Sequence, residues 1–207
     1  MPRPSVEAER REQILKAACR VISEKGYKAL RVTDVARYAK LSAALVHYYF
    51  ETKRDLVHAA FEWNFSRSLE RRKSILDRHS NARDRLRAFI DSYLPRDEET
   101  EAAWRVWAET WVEALHDPDL RKLNERIYGE WRSIITEIIR LGQAEGLIVP
   151  GDPVLLANVL VSTIDGLAIQ ALVGSEHMTI ARMQSVCDHL VKTMSVQSAE
   201  PVQAALG

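Results

Sequence analysis

The sequence is short of punctuation. Its 207 residues include only 8 Gly and 7 Pro, too few to break the chain into many short strands, so long helices are expected. Cysteine is scarcer: Cys19 and Cys187 lie far apart and form no CxxC pair. That excludes a disulfide framework and a cysteine-rich zinc site, and it suits a reducing cytoplasm. No apolar stretch leads to a cleavage site in residues 1–13, so the expected location is cytoplasmic. One apolar run, 153–174, approaches bilayer length. Asp165 at its middle, with Asn158, Ser162, Thr163 and Gln170, makes it a buried helix of a soluble protein, with no membrane partner. The six histidines never pair at i+3 or i+4, and there is no phosphate-cradling glycine loop or nucleophile elbow. Catalysis, a metal and a cofactor are therefore not expected.

What is present is an ordered composition, 46% hydrophobic and 28% charged, long enough for a sizeable core. The 29 basic and 29 acidic residues cancel, but unevenly. Residues 1–50 hold ten basic and five acidic side chains, leaving an acidic excess for 51–207. A basic N-terminal quarter on an acidic body suits a polyanion partner such as nucleic acid.

Helical signals run almost throughout. Helix one is expected from Val6 to Lys25, stopped by Gly26. Two short helices follow, about 32–39 and 43–50. A long fourth helix, capped by Thr52, runs from Lys53 to about His79. Asn81 with Asp84 opens a fifth that ends near Pro95, and the acidic stretch 97–101 opens a sixth. Asp117-Pro118 starts a seventh that ends near Gly146; Gly151-Asp152-Pro153 starts an eighth, and the ninth spans about 179–194. The expected fold is all-α with about nine helices. A helix-turn-helix domain (1–52) precedes a larger helical ligand-binding and dimerisation domain (53–195), and the tail 196–207 is expected to be disordered.

In the first short helix Val32, Val35, Ala36 and Ala39 form an apolar face. Leu41 then turns inward and Ser42 caps the next helix, whose inner face is Val46, Tyr49 and Phe50. Ala43, Ala44, His47 and Tyr48 lie on its opposite face. Two short helices crossing over a tight turn, braced by a longer one, form a helix-turn-helix whose second helix suits the major groove. The fuller string is Gly26, Val32-x-x-Val35-Ala36-x-x-Ala39-x-Leu41-Ser42, then Tyr48-Tyr49-Phe50-x-x-Lys53-x-x-Leu56. It closely resembles the DNA-binding domain of the TetR family of bacterial regulators.

The resemblance implies a homodimer, most often a repressor, whose C-terminal domain binds a small effector and releases a double-stranded DNA operator. Carried over by position, Ala43, Ala44, His47 and Tyr48 would face the groove. Thr33, Ser42, Tyr48 and Lys53 would meet phosphate, and Arg3, Arg10 and Arg11 would extend this through an arm. Three departures stand out. Arg31 replaces a capping Thr, which makes it a further phosphate candidate; Lys40 replaces a turn glycine and predicts a non-glycine residue at positive φ; His47-Tyr48 reverses the usual order.

In the sixth helix Trp104, Trp107 and Trp111 fall on one face, with Glu109 and Glu113 on the same helix. Aromatic faces with nearby carboxylates suit an organic cation. The segment 104–120, together with Ile164-Asp165-Gly166-Leu167, is similar to the choline-responsive BetI branch of the family. Candidate ligand residues are Trp63, Trp104, Trp107, Glu109, Trp111, Tyr128 and Gln170, with Phe65 and Tyr93 behind them. The eighth helix is apolar nearly all round and the ninth has an apolar stripe. Leu156, Leu160, Ile164, Leu167, Met183, Val186, Leu190 and Met194 are therefore the expected dimer contacts in a four-helix bundle. The competing reading is a dimeric helical binding protein or enzyme whose N-terminal helices only pack.

Overall fold

The computed structural model of the chain describes residues 6–196, apart from the side chain of Ile75. Arg3 and the tail 197–207 lie outside the described residues. Those described form nine helices: α1 (Val6–Lys25), α2 (Val32–Ala39), α3 (Ala43–Tyr49), α4 (Lys53–Leu76), α5 (Ala82–Tyr93), α6 (Glu98–Ala114), α7 (Pro118–Ala144), α8 (Pro153–Leu172) and α9 (Ile180–Met194). One isolated antiparallel bridge joins Ile148 to Ser195.

The helices begin where local chemistry satisfies their first N–H groups. Thr52 and Asp55 cap α4 reciprocally, the Asp55 N–H donating to Thr52 Oγ1 and the Thr52 N–H to Asp55 Oδ2, both at 3.1 Å. Asn81 accepts from the Asp84 N–H, Asp97 from Thr100, Asp152 from Val154 and Thr179 from Arg182. Asp117 accepts from both Asp119 and Leu120, with Pro118 as the first helical residue of α7. Each such cap contributes about 1 kcal/mol. The α4 helix ends at Leu76 rather than His79.

Two positions depart from this pattern. Arg31 precedes α2 in an extended conformation and makes no side-chain cap. Lys40, after α2, has φ 54° and ψ 41°, the one non-glycine residue with positive φ among those described. The turn needs this left-handed residue because the Leu41 N–H reaches back to the Ala36 carbonyl at 2.9 Å. A side chain costs about 1 kcal/mol there relative to glycine. Lys40→Gly is therefore expected to raise the melting temperature by about 2–4 °C, measured by calorimetry.

Packing divides into two cores. The first gathers α1 (Ile14, Ala18, Val21, Ile22), Val35 of α2 and Val46 of α3. It continues through Leu56, Val57, Ala60 and Phe61 of α4 to Val106 and Ala114 of α6. The second joins Leu86, Phe89 and Ile90 of α5, Ile127, Trp131, Ile135 and Ile139 of α7, Leu160, Ile164 and Ala168 of α8, and Met183, Cys187 and Val191 of α9. The α6 helix belongs to both, since Trp104 lies in the second core and Val106 in the first.

This packing corrects the expected dimer contacts. Leu160, Ile164, Leu167, Met183 and Met194 are all 8% exposed or less within a single chain, so each is already packed inside its own protomer. The reason is energetic. The α9 stripe is that helix's only apolar face, and each large side chain in it contributes about 2 kcal/mol when buried against its own protomer. Leu156, Val186 and Leu190 are half-buried against the same core. On α8, apolar all round, the outward face instead carries Leu155, Val159, Ser162, Gly166 and Gln170. This helix is long and apolar enough to cross a membrane by length and composition, but its inner face is part of the second core.

Candidate DNA-binding face and ligand cavity

The short helix α3 is held by two anchors and one cap. Val46 and Phe50 are buried in the first core, and Ser42 Oγ accepts from the Leu45 N–H at 3.1 Å. This leaves Ala44, His47 and Tyr48 exposed, with Tyr48 78% exposed and edge-on to Tyr49. Arg31, Thr33 and Ser42 are exposed as well. Ala43 differs from expectation: it is half-buried against the first core. Lys53 is also engaged, its ammonium donating to the Lys28 carbonyl at 3.1 Å and lying 5.0 Å from the Tyr27 ring centre. Arg10 bonds Gln13 Oε1, and Arg11 lies over the Phe50 ring. The α1 helix is tied to the end of α2 by Gln13, whose side-chain amide donates to the Ala39 carbonyl at 2.6 Å.

A second site lies inside the C-terminal helices. Walls from α5, α6, α7 and α8 line a small, partly open cavity with about 20 Å3 of free room. Trp104, Trp107 and Trp111 line it from α6, as their spacing predicts, and Tyr128 joins them from α7. Phe89, Tyr93, Trp131, Val161, Ile164 and Asp165 complete the wall. Ile164, expected at the dimer contact, thus faces the cavity instead. The rings brace one another edge-on: Phe65 against Trp107 and Trp131, and Tyr93 against Trp104 and Trp131. Trp104 is fixed further by donating its indole N–H to the Tyr93 carbonyl at 2.6 Å.

Three ligand candidates lie elsewhere. Trp63 packs at the margin of the first core, Gln170 is exposed on α8, and Glu109 faces α1. The last follows from helix geometry, because a residue two positions from Trp107 and two from Trp111 cannot share their face.

The cavity holds one carboxylate among its seven aromatic rings. Asp165 accepts a hydrogen bond from the Tyr128 hydroxyl at 2.7 Å. Burial pushes its carboxyl up to about 6, against a partial downward pull from that bond. Behind the ring wall sits Arg72, 5% exposed, with its guanidinium carbon 3.7 Å from the Tyr93 ring centre. Its donors go to Ser92 Oγ and to the Ser68 and Ser92 carbonyls, not to a carboxylate, and burial lowers its pKa. Tyr93 and Trp131 therefore already carry a cation, Arg72, which is not among the cavity's lining residues.

Two polar connections tie this region to the N-terminal helices. Glu109 Oε2 accepts from the Tyr27 backbone N–H at 2.8 Å, just past the end of α1. Gly26, at φ 80°, makes room, since a Cβ there would lie 3.3 Å from Glu109 Oε1. The second connection pins the α6–α7 turn to α4. Arg54 donates to both Asp117 oxygens at 3.1 and 3.0 Å and to Asp119 at 2.8 Å, and His58 Nε2 lies 3.1 Å from Asp117. Burial pushes the Asp117 carboxyl up, but Arg54, the Leu120 and Asp119 N–H groups and His58 outweigh it and bring it to about 2.

A helix-turn-helix with an exposed second helix, joined to a helical domain enclosing an aromatic cavity, defines a one-chain DNA-binding regulator with an internal effector site. Residues 14–60 match the family model of bacterial regulatory proteins of the tetR family, and residues 82–195 match that of the C-terminal domain of BetI-type transcriptional repressors. The chain belongs to the TetR family and carries a BetI-type C-terminal domain. It is 29% identical over 184 residues to the HTH-type transcriptional regulator BetI of Stenotrophomonas maltophilia, covering 85% of this chain and 88% of that protein. The BetI of Proteus mirabilis is 24% identical over 194 residues, covering 92% and 94%. Among solved structures, a Saccharomonospora viridis protein assigned as a transcriptional regulator, in complex with choline, superposes with a TM-score of 0.87. It is 31% identical, covering 92% of this chain and 99% of that one. The chain is thus a ligand-responsive, DNA-binding transcriptional regulator, and the reading in which its N-terminal helices only pack is set aside.

Proposed function

We propose that this protein is a cytoplasmic homodimeric repressor that leaves a palindromic operator when a small organic cation of the choline type enters its aromatic cavity. One observation carries the ligand class: the only carboxylate of the cavity wall, Asp165, is surrounded by rings and lacks a cationic side-chain partner among the described residues. A quaternary ammonium would offset that buried charge while resting on ring faces, a contact contributing about 2 kcal/mol when desolvated. The choline complex of the Saccharomonospora viridis neighbour supports the same class.

DNA recognition is assigned to Ala44, His47 and Tyr48 on α3, with Thr33, Ser42 and Arg31 as phosphate contacts. Lys53 would serve as a phosphate contact after leaving the Lys28 carbonyl. Tyr48→Ala is expected to weaken operator binding about 10–100-fold by removing a hydrogen bond to phosphate in each half-site. Fluorescence anisotropy would measure it, and because Tyr48 is so exposed the melting temperature should not move. Unchanged affinity would overturn this assignment.

The two functions are coupled through α6, whose one face lines the cavity while Glu109 holds the end of α1. Cation binding that shifts α6 would move α1 and change the separation of the two recognition helices in the dimer. The cation must bind the two arrangements unequally, or nothing shifts. Glu109→Ala is expected to leave choline affinity within about twofold but to reduce the cation's effect on DNA affinity about tenfold, a typical coupling energy. Calorimetric binding alongside anisotropy separates the two, and an unaltered effect on DNA would contradict the route.

A further inference from the structure

Among the described residues three buried side-chain atoms lack a hydrogen-bond partner: Arg83 Nε, Trp111 Nε1 and Asn124 Oδ1. Of these residues only Trp111 borders the aromatic cavity. An indole N–H is a donor and nothing else, so it needs an acceptor. The contrast with Trp104, two turns earlier on the same face of α6, is direct: that indole donates to the Tyr93 carbonyl. No protein acceptor serves Trp111, although a buried unmade hydrogen bond is costly. Its ring stacks on Tyr128 with centroids 6.3 Å apart and planes at 30°. Tyr128 is in turn the residue whose hydroxyl bonds Asp165. The unused donor therefore belongs to a ring adjoining the carboxylate's only hydrogen-bonding partner.

We propose that the effector carries, a few atoms from its cationic group, an oxygen that accepts the Trp111 Nε1–H, and that this bond distinguishes it from plain alkylammonium ions. The inference rests on the cation reading of the cavity. No protein oxygen among the described residues, those of Asp165 included, accepts from this indole, so the ligand supplies the acceptor. A bare tetraalkylammonium would fill the same rings but leave the donor unmet. Such an unmet polar group is what lets a site reject an analogue that lacks one hydroxyl.

The test compares choline with ethyltrimethylammonium, in which hydrogen replaces the hydroxyl, by titration calorimetry on the full-length dimer. The wild type is expected to prefer choline about tenfold, the ratio of one buried neutral hydrogen bond. Trp111→Phe keeps a ring in place and is expected to bring the ratio to within about twofold by weakening choline alone. Trp63→Phe, which changes an indole at the margin of the first core and outside the cavity wall, is expected to keep the preference. A preference that survives Trp111→Phe, or is absent in the wild type while both cations bind, overturns the proposal. If the wild type binds neither ion, the cation reading itself fails, a distinct result. Should Trp111→Phe not fold, the indole N–H resonances of the five tryptophans in the wild type provide the second readout. One is expected to shift downfield with choline and not with ethyltrimethylammonium; identical spectra would overturn the proposal.

Discussion

Asp165→Asn is expected to weaken choline binding about 100-fold while leaving operator affinity without the cation unchanged. The substitution retains an oxygen for the Tyr128 hydroxyl and removes only the charge. Truncating one partner of a buried charge pair typically costs 2–5 kcal/mol, or roughly 30-fold to several thousandfold. The same residue sets two pH dependences. In the folded chain without ligand its carboxyl titrates near 6, above the ordinary 3.8, so the folded state binds this proton more tightly than the unfolded state. The resulting stabilisation is complete below about pH 4 and is lost as pH rises through 6. By neutral pH this group has therefore cost the fold about 3 kcal/mol of the stability it has below pH 4. Asp165→Asn should thus raise the melting temperature at pH 7 and leave it little changed at pH 4. Cation affinity runs the other way, falling as pH drops below 6 because the protonated acid offers no charge. Calorimetry at pH 5 and 7.5 measures both, and equal choline affinity at the two values would remove Asp165 from the site.

Leu155→Asp is expected to convert the proposed dimer to a folded monomer and to lower operator affinity at least a hundredfold. Within one protomer Leu155 is 60% and Val159 42% exposed, and the same face of α8 continues through the small residues Ser162 and Gly166. Such a face suits the close approach of a two-fold copy. A carboxylate there would be desolvated in an apolar contact, an arrangement that costs several kcal/mol. The protomer itself should tolerate the change, because surface substitutions usually stay within about 0.5 kcal/mol. Losing the dimer means losing the second half-site, whose tethering multiplies affinity by about 10^2–10^4. Sedimentation and anisotropy on the same samples test this, and a variant that stays dimeric would place the interface elsewhere. Leu160→Asp, one turn along but fully buried, is expected to prevent folding instead.

These outcomes depend on features that differed in how plainly the sequence displayed them. Helix starts were legible because Asn81, Asp97, Asp117-Pro118 and Asp152-Pro153 act on their own backbone within three residues. Lys40 was legible for the same reason, since a local turn dictates its φ whatever surrounds it. The tryptophan face of α6 followed from spacing alone. The remaining cavity wall did not, because Phe89, Trp131, Val161 and Asp165 come from three other helices whose rotation is set only by packing. Glu109 could have been placed correctly, since two positions from a tryptophan is nearly the opposite side of a helix. The outward face of α8 could not, because a helix apolar nearly all round gives no hydropathic sign of which side turns inward. On α9, Met183, Cys187, Val191 and Met194 pack into the chain's own core, while Val186 and Leu190 stay half-exposed, a split the stripe alone does not show.

A cation in the aromatic cavity is proposed to control the protein's hold on DNA. The most direct test is anisotropy of the dimer on labelled DNA from upstream of its own gene, with choline titrated in at fixed salt and scrambled DNA as reference. The expected result is a specific complex that weakens steeply with salt and dissociates as choline saturates the cavity, with no such release from the Asp165→Asn variant. Saturation by choline, verified by calorimetry, with no change in operator affinity would contradict it.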